Sequence, residues 1–264
     1  MLMEQVKYQI NQDILGSAIA RFNKINLDAL NAVSLMNRVD TKYLIHKRQL
    51  KNILTSIQPY YKALEVDGVS KVVYDNMYFD TDDDVMYLSH HNGRLNRQKI
   101  RRRTYHTGTS FLEIKTKTNK GRTQKIRVRS LDPNSQFSNL ENAYISEHTG
   151  FDPQHLVHKL SNQFTRITLI NNEMTERCTI DTNISYEDQN ADRNLDDTVI
   201  IELKNDKSNK DSKMKLILDS MGIKRVNFSK YCMGRVMLDP ALKANKFKSR
   251  MLSMKKLQTN DSLI

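Results

Sequence analysis

No tryptophan occurs in the 264 residues, cysteine occurs twice, and proline only four times. Cys178 and Cys232 stand far apart and match no metal or redox spacing, which argues against a disulfide scaffold and for a reducing compartment. No apolar run approaches the roughly 18 residues that a membrane span needs. The N-terminal stretch "MLMEQVKYQINQD" has no apolar core that would serve as a secretory leader. A cytoplasmic location with no membrane segment in this chain is therefore expected. P-loops, glycine-rich phosphate loops and helix-turn-helix, zinc-finger or RNA-recognition patterns are also missing.

Acid is scarce in one place only. Between Arg94 and Arg129 stand 13 Lys or Arg and a single carboxylate, Glu113, leaving 29 basic and 29 acidic residues elsewhere. The formal net charge of +12 thus sits in one segment, which points to an anionic partner. Base stacking needs aromatic platforms, and this segment offers mainly Tyr105 and Phe111, so no specific nucleic acid is expected.

What is present reads as many strands with helices around them, an α+β class. Three- and four-residue steps predict a helix over 13–33, and alternation predicts strands over 38–46 and 71–81. Runs over 94–106, 110–118 and 123–130 read as strands joined by the turns "HTGTS" and "TNKGR". Residues 139–160 look helical with a break at Asp152-Pro153. Strands follow in "QFTRITLI", "ERCTIDTNISYE" and "DDTVIIELK", then a helix in "SNKDSKMKLILDSMG" with a Ser N-cap and Gly222 at its end, and another near Phe228. One domain is expected over 1–240, including the N-terminal helix, with 241–264 a basic polar C-terminal tail.

Residues two apart in a strand share a face. Lys99, Arg101, Arg103 and Tyr105 share one; Glu113, Lys115 and Lys117 share one; Lys125, Arg127 and Arg129 share one. Glu202 pairs with Lys204 against Ile201 and Leu203, and Arg38, Asp40 and Lys42 align likewise. The ordinary reading of each strand is a half-exposed sheet with a solvated face. Taken together the cations are too many. Like charges on one face recur roughly 6–7 Å apart and cost roughly 2–3 kcal/mol per pair at an effective dielectric near 20. Water relieves that cost on an open face and a polyanion relieves it on an enclosed one, so the charged sides line a concave surface or the inside of a barrel. Arg102, of opposite parity, is expected to face solvent. Asp80 and Asp82–Asp84 are expected at a turn and helix start, and His90-His91 at the surface.

Seven short motifs in order resemble the VTC (vacuolar transporter chaperone) domain: Arg-x-Asp-x-Lys-Tyr at 38–43, "YFDT" at 78–81, Lys-x-Arg-x-Arg-x-Tyr at 99–105, "LEIKTK" at 112–117, "ERCTID" at 176–181, "IELK" at 201–204 and "SKY" at 229–231. The resemblance covers about 35–240. It implies the polyphosphate polymerase domain of the triphosphate tunnel metalloenzymes, an antiparallel β-barrel tunnel of about eight strands with surrounding helices. It further implies transfer of the ATP γ-phosphate onto inorganic polyphosphate with Mn²⁺ or Mg²⁺. By position, Lys42, Arg101, Arg103, Lys115, Arg166, Arg177 and Lys230 would act on the transferring phosphates. Lys99, Lys117, Lys125, Arg127, Ser229 and Tyr105 would line the substrate path, and Glu202 would hold the metal. Glu113 is expected to pair with neighbouring cations. Many tunnel enzymes carry Glu-x-Glu-x-Lys on the first strand; Arg38-Val39-Asp40-Thr41-Lys42 here favours the polymerase branch. A hydrolase of tripolyphosphate or nucleoside triphosphates, and a non-catalytic polyphosphate- or nucleic-acid-binding protein, are the competing readings.

Overall fold

The alternating residues of Arg38–His46 form β2, whose apolar Tyr43 and Ile45 face outward into one core and whose Asp40 and Lys42 face the other way. The computed structural model describes residues 15–31, 38–119, 123–132, 136–206 and 211–259. Its fold is α+β, a large and almost wholly antiparallel sheet with helices packed on it. The main path runs β12 (Arg225–Val226), β2, β11 (Thr198–Asp206), β9 (Glu176–Glu187), β8 (Leu156–Asn171), β4 (Val72–Thr81), β5 (Arg97–Tyr105), β6 (Ser110–Lys117) and β7 (Thr123–Ser130). Beside it, β3 (Tyr61–Leu64) pairs with β8 and, in parallel, with β1 (Asn23–Ile25), and β10 (Asp192–Leu195) pairs with β9.

The expected barrel of about eight strands is not closed among the described residues. Nine strands lie in line, and the end strands β7 and β12 do not pair with each other. The physical reason lies in β12, which is two residues long before the chain turns into a helix and so offers no edge for β7. Strand twist nevertheless curls the sheet. Lys115 on β6 feels the charges of Lys42 on β2 and Glu202 on β11, strands at the opposite end of the order.

Helices fill both sides. On the outer face α3 (Lys47–Ile57) buries Leu50, Ile53, Leu54 and Ile57, a single helical stripe. It starts at a capping box between His46 and Gln49 and shares a core with α6 (Lys213–Ser220). α5 (Asn139–His148) buries Ile145 over the outer side of β5 and β6. On the concave side α7 (Lys230–Leu238) packs Tyr231, Cys232 and Val236 against Tyr78, Phe164 and Tyr186. α4 (Val85–His91) begins where the buried Asp80 carboxylate accepts from Met86 N and Tyr87 N, and Gly93 closes it at φ +73°.

Several expectations differ from the structure. The helix over 13–33 is interrupted. Helix α1 covers 15–20 of the described residues, β1 follows, and α2 (Leu27–Asn31) restarts where Asn26 Oδ1 accepts from Ala29 N. The break lets β1 add to β3 as an edge strand. The helix over 139–160 ends at His148, and 156–160 already belong to the 16-residue β8. The segment read as a polar tail carries α8 (Lys248–Thr259), and Phe247 and Met254 are buried with α7's core. His91 is 2% exposed and meets Phe247 edge-on, so the histidine pair is not a surface feature. The "TNKGR" turn lies partly outside the described residues. Among the described residues no helix is long and apolar enough to cross a membrane.

Candidate functional site

Strand register places the charged residues on one wall. Arg101 lies opposite Glu113, Lys99 opposite Lys115, Glu113 opposite Arg127 and Lys115 opposite Lys125. At the other end Glu202 lies opposite Lys42 and Lys204 opposite Asp40. Between them Arg166 lies opposite Asp181, and Lys204 opposite Arg177. Of the opposite parity on β5 and β6, Ile100, Leu112 and Ile114 bury themselves in the outer core.

Two buried carboxylates organise this wall. Asp181 accepts Arg166 Nε at 2.6 Å and Nη2 at 2.7 Å, and also accepts from Lys230 Nζ. Glu113 accepts Arg101 Nε at 2.8 Å and Nη2 at 2.6 Å, and Lys125 approaches its other oxygen at 2.5 Å. Burial opposes ionisation of both acids, but their cations prevail. Arg101, Arg103 and Lys125 hold Glu113 down to about 2, and Arg166 and Lys230 hold Asp181 well below the usual carboxylate range.

A third carboxylate faces the same space. Glu202 Oε1 receives Lys204 Nζ at 3.1 Å, and that ammonium also reaches Asp40 Oδ2 at 3.3 Å. Burial would raise the Glu202 carboxyl, yet Lys42, Lys204 and Arg166 keep it at about 2. Three lysines are strained the other way. Burial lowers Lys99 and Lys230 to about 8, with Lys42 lowering both further while Asp181 partly restores Lys230. Lys115 also falls to about 8; it touches water, but neighbouring strands remove much of its hydration and Lys42 and Lys99 repel it.

The start of α7 enters this cluster. Ser229 caps the helix, its Oγ accepting from Cys232 N, and the same oxygen receives Lys99 Nζ at 2.7 Å. Lys42 Nζ donates to the Phe228 carbonyl at 2.9 Å. Arg103 donates to Asn76 Oδ1 and lies over Tyr74, 4.8 Å from the ring centre. Tyr105 lies tilted against Tyr74, ring centres 5.2 Å apart, and meets Phe111 edge-on, and Arg127 covers Phe111 at 4.5 Å. Lys117, Lys125 and Arg127 are exposed on β6 and β7. Arg177 sits farther along the wall and donates to the Leu30 carbonyl of α2.

So Lys42, Lys99, Arg101, Lys115, Arg166, Lys230, Ser229 and Glu202 come together, and Arg103 and Lys125 border them. Arg127, Lys117, Tyr105 and Arg177 are more peripheral. Glu113 pairs with cations as its surroundings in the sequence suggested. Asp181 was missed, although the signal existed: it shares the parity of Arg177, opposite to that of the apolar Cys178 and Ile180. Arg102 has the expected opposite parity but does not face solvent. It is 1% exposed, held by Glu141 at 2.9 and 3.0 Å, and stacked near Phe79 and Phe137. The basic segment thus takes part of its counter-charge from α5.

A curled antiparallel sheet whose concave wall carries the cations beside the α7 core, and whose convex wall carries a second core, defines the class of this α+β protein. The family model of the VTC domain matches residues 37–238, and the chain belongs to that family. No curated protein sequence matches it. Among solved structures, a putative adenylyl cyclase from Hippeastrum, described as having dominant triphosphatase activity, is 14% identical at a TM-score of 0.47, covering 76% of this chain and 96% of that one. A protein from Pyrococcus horikoshii is 15% identical at 0.44, covering 74% and 97%. An inorganic triphosphatase is 10% identical at 0.33, covering 76% and 95%.

Proposed function

We propose that the protein is a polyphosphate polymerase that transfers the γ-phosphate of ATP onto a chain of inorganic polyphosphate held against the concave wall. The observation that carries this reading is the convergence of Lys42, Lys99, Arg101, Lys115, Arg166 and Lys230 from five separate elements onto one space. Membership of the VTC family supports it. Phosphoryl transfer needs positioning and charge neutralisation far more than covalent help from the protein.

In the transfer, a terminal oxygen of the polyphosphate chain forms the new P–O bond to the γ-phosphorus. The bond from that phosphorus to the β–γ bridging oxygen breaks, and ADP leaves with the electron pair. A terminal phosphate oxygen is largely ionised near neutral pH, since the second ionisation falls near 6, so no side chain must remove a proton. Arg166 and Arg101 arrive already oriented, because Asp181 and Glu113 fix their guanidinium planes. Forked donors of this kind match phosphate oxygens in two-point contacts. Lys42, Lys99 and Lys230 supply point charges around the start of α7.

Among the described residues no group of three or more His, Cys, Asp or Glu is placed to hold a metal ion. Glu202 offers one hard oxygen ligand from the wall, which fits Mn²⁺ or Mg²⁺ completed by phosphate oxygens and water, as Mg²⁺ is commonly bound. When bound, such an ion would neutralise charge on the transferring phosphoryl group. Glu202→Gln tests this reading. The variant is expected to lose turnover of ATP while still binding tripolyphosphate; turnover at the wild-type rate would remove Glu202 from the reaction.

A further inference from the structure

A second cationic hollow opens where the concave wall runs out toward the C-terminal helix. It encloses about 190 Å³ and is lined by Asp40, Lys42 and Ser229 on one side and by His90, Arg97, Phe247 and Arg250 on the other; its one carboxylate, Asp40, already receives Lys204 Nζ at 3.3 Å. We propose that this hollow is a second binding station for linear polyphosphate, in which Arg97 and Arg250 grip the chain beyond the phosphates that the central wall takes. The inference deepens the polymerase reading and rests on it for the identity of the ligand.

Three observations carry it. The hollow is continuous with the central site, because Lys42 and Ser229 belong to both and Ser229 Oγ receives Lys99. It also gathers charge. Lys99, Arg97, Arg250 and Lys117, from β5, β6 and α8, all act on the half-buried His90, whose ring burial and those cations keep neutral. Arg97 donates to the Arg94 carbonyl at 2.8 Å, Arg250 donates to the Lys246 carbonyl at 3.2 Å and lies 5.3 Å from the Phe247 ring centre, and among the described residues neither forms an ion pair with a carboxylate. Finally, its apolar members are not presented to a ligand. Phe228, Met233 and Phe247 are 6%, 1% and 3% exposed, so polar and charged atoms face the space. That favours phosphate over a nucleobase, which needs an open aromatic face.

Arg250 lies outside the residues that the family model matches. It belongs to a stretch, Lys243 to Lys256, with six basic and no acidic residues. Because α8 packs its Met254 into the core beside α7, Arg250 is held against the hollow by a fixed helix. A chain only as long as a nucleotide's three phosphates would be satisfied by the central wall, and a longer one would reach Arg97 and Arg250.

The test is equilibrium binding of tripolyphosphate and of long-chain polyphosphate to the full chain, with Arg97→Ala, Arg250→Ala and the milder Arg250→Gln. Each variant is expected to bind the long chain about tenfold more weakly, as loss of a charge-assisted contact implies, and to bind tripolyphosphate as the wild type does. Arg101→Ala should weaken both ligands. Unchanged long-chain affinity, or equal losses for both ligands, overturns the station. A loss of ADP affinity without a loss of long-chain affinity overturns it in favour of a nucleoside pocket. Wild-type binding of single-stranded DNA as tight as that of polyphosphate at equal salt would overturn the ligand assignment. The assay needs no turnover, so a protein that makes no polymer but shows the expected pattern keeps the station and loses the polymerase reading.

Discussion

Asp181 takes both arms of Arg166, Nε at 2.6 Å and Nη2 at 2.7 Å, while also accepting from Lys230 at the start of α7. One carboxylate, 2% exposed at its side chain, thereby fixes two cations from different elements. Asp181→Asn removes the charge and leaves both cations buried without it. Breaking a buried pair from one side costs about 3–5 kcal/mol. The midpoint of urea unfolding should fall accordingly, and an unchanged midpoint would show that the trio contributes nothing to the fold.

Acid should reveal the second trio. Glu113 is held at about 2 in the folded protein against an ordinary value of 4.5, so its ionised form favours the folded state. That contribution is fully present above about 4.5 and is lost as pH falls toward 2, a difference on the order of 3 kcal/mol. Glu113→Gln should be less stable than wild type at pH 6 and should lose less further stability between pH 4.5 and 2. Parallel acid limbs for the two proteins would contradict the assignment.

The depressed lysines make a prediction of opposite sign. Lys99 and Lys230 lie at about 8, below their ordinary 10.5, so burial of their charge disfavours the folded state below that value. The penalty is relieved as pH rises from 8 toward 10.5. A bound polyanion restores the charge, so tripolyphosphate binding at pH 8 should take up protons and weaken between pH 7 and 9. Calorimetry in two buffers of different ionisation heat measures this directly; identical heats in both would refute the coupling.

Adjacent arginines separate the two walls. Arg102→Ala should cost about 3–5 kcal/mol of stability, because Glu141 is left buried and unpaired, and should leave tripolyphosphate affinity intact. Arg101→Ala should weaken that affinity about tenfold. Equal effects on binding would mean that the two side chains do not lie on opposite faces.

The seating of α7 depends on one small residue. A Cβ at Gly234 would stand 2.5 Å from Tyr186 Cδ1, and Tyr186 is 1% exposed and cannot swing away. An alanine normally helps a helix interior by roughly 0.5–1 kcal/mol. Here Gly234→Ala should instead destabilise by about 1–3 kcal/mol through overpacking, read as a lower Tm. A raised Tm would show that α7 does not sit this deep in the concave side.

Much of this arrangement was legible in the sequence, because strand alternation depends only on parity. It separated Arg101 and Arg103 from Arg102, set Glu202 and Lys204 against Ile201 and Leu203, and marked Glu113 as a lone acid among cations. What parity does not carry is the partner across space. Arg102 looked solvent-facing because Glu141 lies 39 residues away on a helix. Asp181 went unremarked because its cations arrive from β8 and α7. The C-terminal segment reads as polar along its length, yet Phe247 and Met254 are buried in the core with Leu242, Met251 and Leu257 packed beside them. Parity and charge left a concave surface and a barrel equally open and resemblance favoured the barrel, but among the described residues two-residue β12 leaves the sheet open.

The central claim is that this wall builds polymer rather than merely holding it. Purified protein incubated with γ-labelled ATP and Mn²⁺, then resolved on a gel alongside a measurement of free phosphate, tests it most directly. The account predicts label in a ladder of long polyphosphate with ADP formed in proportion. Label appearing only as free phosphate, or remaining in ATP, would contradict it.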